Sequence, residues 1–278
     1  MTDEIVTTTT RGGERSVHLR TRHGEPPAVL LMSGAAQSSG FWYPVVVRME
    51  GRLVASYDRP GMGGTPWPGH LPTLEEEVDT AADLVRRLGA PVVLAAHSMA
   101  AFHAEALIRE HPDLVSGLVL VDPSVEWQAG PPAGRSIGLA RIVRWAAQNG
   151  LAGLGRLSMA MATESNSVRS PERLRNYTRE HGIREVYSAP DALAMATAEV
   201  IGYDRQAWEL MTVRSEHEWP GTPTILLSAE LSYGEQAEAT QERLAKLLGA
   251  QMRLVAGSRH LVMLDDPGAI VTAVSDLS

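Results

Sequence analysis

The sequence predicts an α/β fold: a mostly parallel sheet with helices on both faces, interrupted by an all-helical block. Three observations carry this. Short, apolar, β-rich runs alternate with helical patterns from Ala28 to Val121. The alternation stops between about Val125 and Glu218, where helical patterns lie between Pro and Gly breaks, among them Pro131-Pro132 and Pro190. It resumes at Thr224 and runs to the end of the chain.

Taken in order, Val6–Thr10 and Ser16–Thr21 alternate polar and apolar residues around Arg11-Gly12-Gly13-Glu14, as in an antiparallel edge hairpin. Ala28–Met32 reads as a buried strand. Small residues follow, Ser33-Gly34-Ala35-Ala36, and leave backbone N–H groups exposed. After Phe41, Trp42 and Tyr43, a helix is expected from Pro44 to Met49. Leu53–Tyr57 is the next strand, ending in the glycine-rich Asp58-Arg59-Pro60-Gly61-Met62-Gly63-Gly64. That loop lacks the glycine and lysine spacing of a phosphate cradle. Leu74–Leu88 carries one apolar helical face. Val92–Ala96 is a buried strand, and a helical pattern starts directly after Ser98. Leu118–Val121 ends in Asp122-Pro123-Ser124. Helical patterns cover Ile137–Gln148 and Asp191–Leu210. Thr224–Ser228, Gln236–Leu248, Gln251–Ala256 and Pro267–Val274 then read as strand, helix, strand and helix. The expected division is a core of residues 1–124 and 219–278 with a helical insertion at 125–218.

Ligands of such sheets sit beyond the C-terminal ends of the strands. Ser33-Gly34, Ser98, Asp122 and His260 all follow a strand directly, so they converge on one sheet edge. Ser98 lies on the tight turn between strand and helix, flanked two residues away by the small Ala96 and Ala100. Such a turn lifts a hydroxyl off the sheet and aims helix N–H groups at what it attacks. A serine needs a base, and the base a group to orient it. His260 comes last in the chain, as expected for this order of residues. His97 is expected to be structural or to line the pocket.

At these motifs the chain resembles the α/β-hydrolase superfamily along nearly its whole length. Tyr57-Asp58-Arg59-Pro60-Gly61-Met62-Gly63 is the most specific match. Leu30–Gly34 resembles that family's oxyanion strand and turn, Ala96–Ala100 its nucleophile elbow, and Gly257–His260 through Leu264–Pro267 its histidine loop. The resemblance implies an α/β-hydrolase fold whose helical insertion is a cap, with an oxyanion hole built from the backbone N–H of Ala35 and Met99. Most members place an acid after the penultimate strand, where this chain has Leu227-Ser228-Ala229-Glu230-Leu231-Ser232; Ser232 occupies the expected place. Some relatives place it at the end of the strand after the elbow helix, which here is Asp122. Asp122 is the expected acid, with Glu230 and Glu126 in reserve. Phe41, Trp42 and Trp127 are candidate substrate contacts.

The expected activity is a serine hydrolase acting through an acyl-enzyme on a small to medium hydrophobic carboxylic ester, thioester or lactone. Carbon–carbon cleavage or a cofactor-free lyase or cyclase step on the same residues stays open, as does ligand binding with little turnover. A serine nucleophile speaks against the epoxide-hydrolase and dehalogenase branches, which use aspartate.

Composition agrees. In 278 residues, 44% are hydrophobic and 21% charged, an ordinary globular balance. A net charge of −8 without a Lys/Arg run argues against nucleic acid and an anionic membrane. No cysteine is present, and no His-x-x-x-His or Glu-rich cluster has metal-ligand spacing, so neither metal nor cofactor is expected. Met1–Ile5 is polar and acidic, unlike a secretory signal, and no apolar run reaches the ~20 residues of a membrane span. A cytoplasmic protein with a small-molecule substrate is expected, of undefined oligomeric state.

Overall fold

The structure, a computed structural model, describes residues 1–128, 130, 136–232 and 235–278, and the backbone alone at 235–237. The expected Pro131-Pro132 break lies outside the described residues.

Eight strands form one sheet: β1 (Thr2–Thr10), β2 (Gly13–Arg22), β3 (Glu25–Met32), β4 (Arg52–Asp58), β5 (Val92–His97), β6 (Val115–Val121), β7 (Thr224–Ala229) and β8 (Gln251–Val255). Their order is β1-β2-β4-β3-β5-β6-β7-β8. β1, β2 and β4 pair antiparallel, and all other neighbours are parallel. The threonine run thus lies on the edge strand β1.

Alternate residues of the central strands point to opposite faces. Leu30, Leu94 and Leu120 pack against α2 (Leu74–Leu88) and α3 (Ala100–Glu110). Leu31, Ala95 and Val121 pack against α1 (Tyr43–Val46), α10 (Val262–Asp265) and α11 (Pro267–Asp276). α9 (Glu235–Leu248) joins the first face through Leu244 and Leu248. α2 starts where its sequence says: the Thr73 hydroxyl accepts from Glu76 N–H at 3.2 Å, and Glu76 reaches back to Thr73 N–H.

Between β6 and β7 the described chain is helical: α4 (Gly138–Ala146), α5 (Ala152–Ser165), α6 (Pro171–Glu180), α7 (Ile183–Val186) and α8 (Pro190–Glu216). A kink at Asn149-Gly150, where Gly150 has φ +95°, divides α4 from α5. α8 runs past the expected Leu210. Its first half packs Met195 and Ala198 against Met62 and Trp67; its second half sets Ala207 and Leu210 into the core beside α3. Arg214, near its end, pairs with Glu105 at 2.7 Å and holds that extra turn to the core. Among the described residues no helix is long and apolar enough to cross a membrane.

Candidate active site

Ser98 joins β5 to the start of α3 with φ +53°, a left-handed conformation uncommon for a residue with a side chain. The turn is held from the neighbouring strand end. Ser98 N–H donates to the Val121 carbonyl at 3.1 Å, and Ser124 N–H donates to the Ser98 carbonyl at 3.1 Å. These two partners bracket Asp122, itself at φ +40°. The turn carrying the hydroxyl and the turn carrying the carboxyl are therefore bonded to each other. Ala96 and Ala100 are fully buried, which is why both positions need small side chains.

Three side chains form one hydrogen-bonded line. His260 Nε2 is 3.0 Å from Ser98 Oγ, and His260 Nδ1 is 2.6 Å from Asp122 Oδ2. A carboxylate can only accept, so Nδ1 carries the proton and Nε2 is left to take one from the serine.

Asp122 is 1% exposed and accepts three further hydrogen bonds. Ser232 Oγ donates to Oδ2 at 2.5 Å, Gln241 Nε2 to Oδ1 at 3.1 Å, and Ala229 N–H to Oδ1 at 3.2 Å. Burial alone would raise this carboxyl; the bonds from His260, Ser232 and Gln241 outweigh it and hold it below its usual value. Ser232, at the place where the resemblance puts an acid, thus bonds to the Asp122 carboxylate from the next strand end. Glu230 is exposed and accepts from Gly257 N–H at 2.7 Å, and Glu126 accepts from the Tyr203 hydroxyl; neither bonds to His260.

The turn after β3 faces Ser98. Neither the Ala35 nor the Met99 N–H donates to another group among the described residues. Gly34 must be glycine: a Cβ there would lie 2.9 Å from both Ser98 Cβ and His97 Nδ1. A buried ion pair braces this turn from outside. Arg59 donates to the Ser33 and Gly34 carbonyls at 2.7 and 2.5 Å and to Glu199 of α8 at 2.5 Å. Glu199 in turn accepts from Ala36 N–H at 2.5 Å. Despite its burial, Arg59 is held firmly charged by Glu199. Tyr187 donates to the Ala36 carbonyl and accepts from Ser38 N–H. Ala35 is thus flanked on one side by carbonyls that Arg59 holds and on the other by contacts from Glu199 and Tyr187 of the helical insertion. Sequence reasoning missed Glu199, Tyr187, Gln241 and this use of Ser232. Only Arg59 lay in a recognised motif.

His97 is fully buried between that turn and the histidine loop. Its Nε2 is 2.9 Å from the His260 carbonyl, which can only accept, so Nε2 bears the proton. Nδ1 is 2.7 Å from Gln37 Oε1. Burial, followed by the nearby His260, lowers His97 to about 3, so it stays neutral. It is a structural strut, as expected.

A cavity of about 140 Å³ opens at Ser98 and His260, lined also by Ala35, Phe41, Met159, Thr163 and Leu261. Phe41, a candidate substrate contact, forms part of its wall. The other two aromatic expectations need correction. Trp42 is fully buried beneath the turn, its indole N–H donating to Ser33 Oγ at 3.1 Å. Trp127 packs under Arg214 and Arg243, whose guanidinium carbons lie 5.0 and 4.0 Å from the indole ring centre. Neither lines this cavity: an indole N–H seeks a buried acceptor and an indole face a cation, and both found them elsewhere. Among the described residues no group of three or more His, Asp or Glu side chains could hold a metal.

The model of the Alpha/beta hydrolase family matches residues 29–273. A curated relative, Lipase LipV of Mycobacterium tuberculosis (strain ATCC 25618 / H37Rv), is 32% identical over 101 residues, 36% of this chain. The chain spans only 38% of that lipase's length. Among solved structures, a thermophilic esterase from Thermogutta terrifontis superposes with TM-score 0.69 at 22% identity, covering 98% of this chain and 97% of its own. The enol-lactonase from Burkholderia xenovorans LB400 gives 0.68 at 18% identity, over 98% and 99%. At such identities these structures show a shared fold.

Proposed function

The chain belongs to the alpha/beta hydrolase family, and we propose that it is a serine hydrolase of carboxylic esters, thioesters or lactones. The observation that carries this reading is the line from Ser98 Oγ to His260 Nε2 at 3.0 Å and from His260 Nδ1 to Asp122 at 2.6 Å.

Ser98 Oγ attacks the carbonyl carbon while its proton passes to His260 Nε2. Asp122 fixes the ring and stabilises the imidazolium. The carbonyl oxygen, now an anion, takes hydrogen bonds from Ala35 and Met99 N–H, each contributing on the order of 10²-fold in rate. Collapse expels the alcohol or thiol, which takes the proton from His260. Water then enters, gives a proton to His260 and releases the acid. The cycle consumes ester and water only. Phe41, Met159 and Leu261 make the space beside Ser98 apolar, which suits a hydrophobic acyl or alcohol group. The segment 125–218 acts as a cap: α5 supplies a wall of the cavity, and α8 braces the oxyanion turn.

The test is pre-steady-state turnover of a short-chain aryl ester. The wild type should release a burst of aryl alcohol equal to its active sites, and Ser98→Ala should lose about 10⁴-fold or more in kcat. Full activity in Ser98→Ala would overturn the reading.

A further inference from the structure

A second cavity of about 340 Å³ lies within the helical insertion, next to the one at Ser98. The two share Met159 and Thr163, which stand one turn apart on α5. A chain bonded at Ser98 that passes these two side chains enters the larger space. Met159 is unbranched and flexible, a wall that yields to such a chain.

The lining of the larger cavity is unusual for this protein. Arg156 comes from α5, Arg175 from α6 and Arg184 from α7. Three exposed arginines from three separate helices line one space, and no Asp or Glu among the described residues lines it. The chain as a whole carries −8. Arg175 is partly answered by Glu164 at 3.5 Å, an exposed pair. Arg156 and Arg184 have no carboxylate within ion-pair distance among the described residues. The rest of the wall is largely apolar, with Leu157, Met159 and Ile183. A space with an apolar body and a cationic rim fits a hydrocarbon segment that ends in an anion.

We propose that this cavity is a substrate subsite for an anionic group, a carboxylate or a phosphate, several bonds from the carbonyl that Ser98 attacks. The proposal rests on the serine-hydrolase reading for its geometry: the anion is part of the molecule that Ser98 acylates from. It narrows the substrate class from hydrophobic esters in general to esters with a charged far end.

The experiment compares nitrophenyl esters of straight-chain acids with half-esters of the same length that end in a carboxylate or a phosphate. In the wild type the anionic esters should have a kcat/KM about tenfold above the neutral ester at low salt, and the advantage should shrink at high salt. The double variant Arg156→Gln/Arg184→Gln should bring the ratio to about one. Arg141→Gln, an exposed arginine outside both cavities, should keep it. Equal kcat/KM for neutral and anionic esters in the wild type, or a ratio untouched by the double variant, overturns the subsite. Calorimetric titration of Ser98→Ala with the half-esters separates the two readings. Binding that the arginine changes abolish supports the subsite even where no ester turns over, a result that defeats the hydrolase reading alone. No binding to Ser98→Ala, beside normal wild-type turnover of neutral esters, defeats the subsite alone.

Discussion

At the sheet edge, Asp122 is 1% exposed and, among the described residues, three groups besides His260 bond to it; over it, on the helical insertion, Leu154 and Met161 are each 63% exposed and Arg156 has no carboxylate partner among the described residues. The first region is fixed. Its turns are stitched strand end to strand end, and the Asp122 carboxylate has its hydrogen bonds in place before any substrate arrives. The second is adaptable, with flexible apolar side chains and exposed arginines around a cavity of about 340 Å³. Preorganised polar groups suit a step in which charge develops at a defined atom. Loosely held apolar and cationic groups suit the choice among substrates. One part of the insertion belongs with the fixed region: Glu199 and Tyr187 hold the turn after β3.

That division makes graded predictions. The largest effect is expected at Asp122. Asp122→Asn should lower kcat by about 10³–10⁴, because an amide at that place no longer holds the productive tautomer of His260. Glu230→Gln should stay within about threefold of wild type, since its carboxyl only caps Gly257 N–H. Steady-state kinetics of the two variants check this; the reverse outcome would move the acid to Glu230. Next comes Glu199→Gln. It weakens the partner of a buried Arg59 and the acceptor of Ala36 N–H, so kcat should fall about 10- to 100-fold with KM changing far less. A purely structural role would lower the melting temperature while leaving kcat per folded enzyme unchanged. Ser232→Ala removes one of the four hydrogen bonds that the described residues make to Asp122 and should cost less than about tenfold in kcat.

A stability prediction separates the regions differently. His97 and His103 are both buried and neutral, lowered by burial from 6.5 to about 3 and about 4. The unfolded chain binds protons at these two groups below pH 6.5, while the folded chain does not. Stability is therefore full above about pH 6.5 and falls as the pH drops toward 4, by several degrees in melting temperature. A thermal scan across that range should show the decline, and a flat curve would mean that the two rings are charged in the fold. The smallest effect is expected on the outer surface of the insertion: Leu154→Ser should shift stability by no more than about 0.5 kcal/mol, because its side chain is already in water.

What was legible in the sequence follows the same division. Strand ends are marked by composition: apolar runs stop at Ser33, Ser98 and Asp122, and parallel topology brings those stops to one edge. That placed Ser98, His260 and Asp122 together before any coordinates. The elbow was readable from two alanines, since crowding by the neighbouring strand demands small side chains. Glu199 was not readable. It lies in the middle of a 27-residue helix with nothing local to mark it, and its partner Arg59 is 140 positions away. Trp42 and Trp127 misled because an aromatic residue beside a motif serves the core as readily as a pocket. The arginines of the second cavity sit on three separate helices, so no spacing in the chain announces them.

The central claim is that Ser98 is an activated nucleophile. Intact-mass measurement after exposure to a serine-directed phosphonate tests it most directly, on the wild type and on Ser98→Ala. One adduct on the wild type, gone in the variant, is the predicted result. A folded wild type that takes no adduct, or a Ser98→Ala that takes the same one, would contradict it.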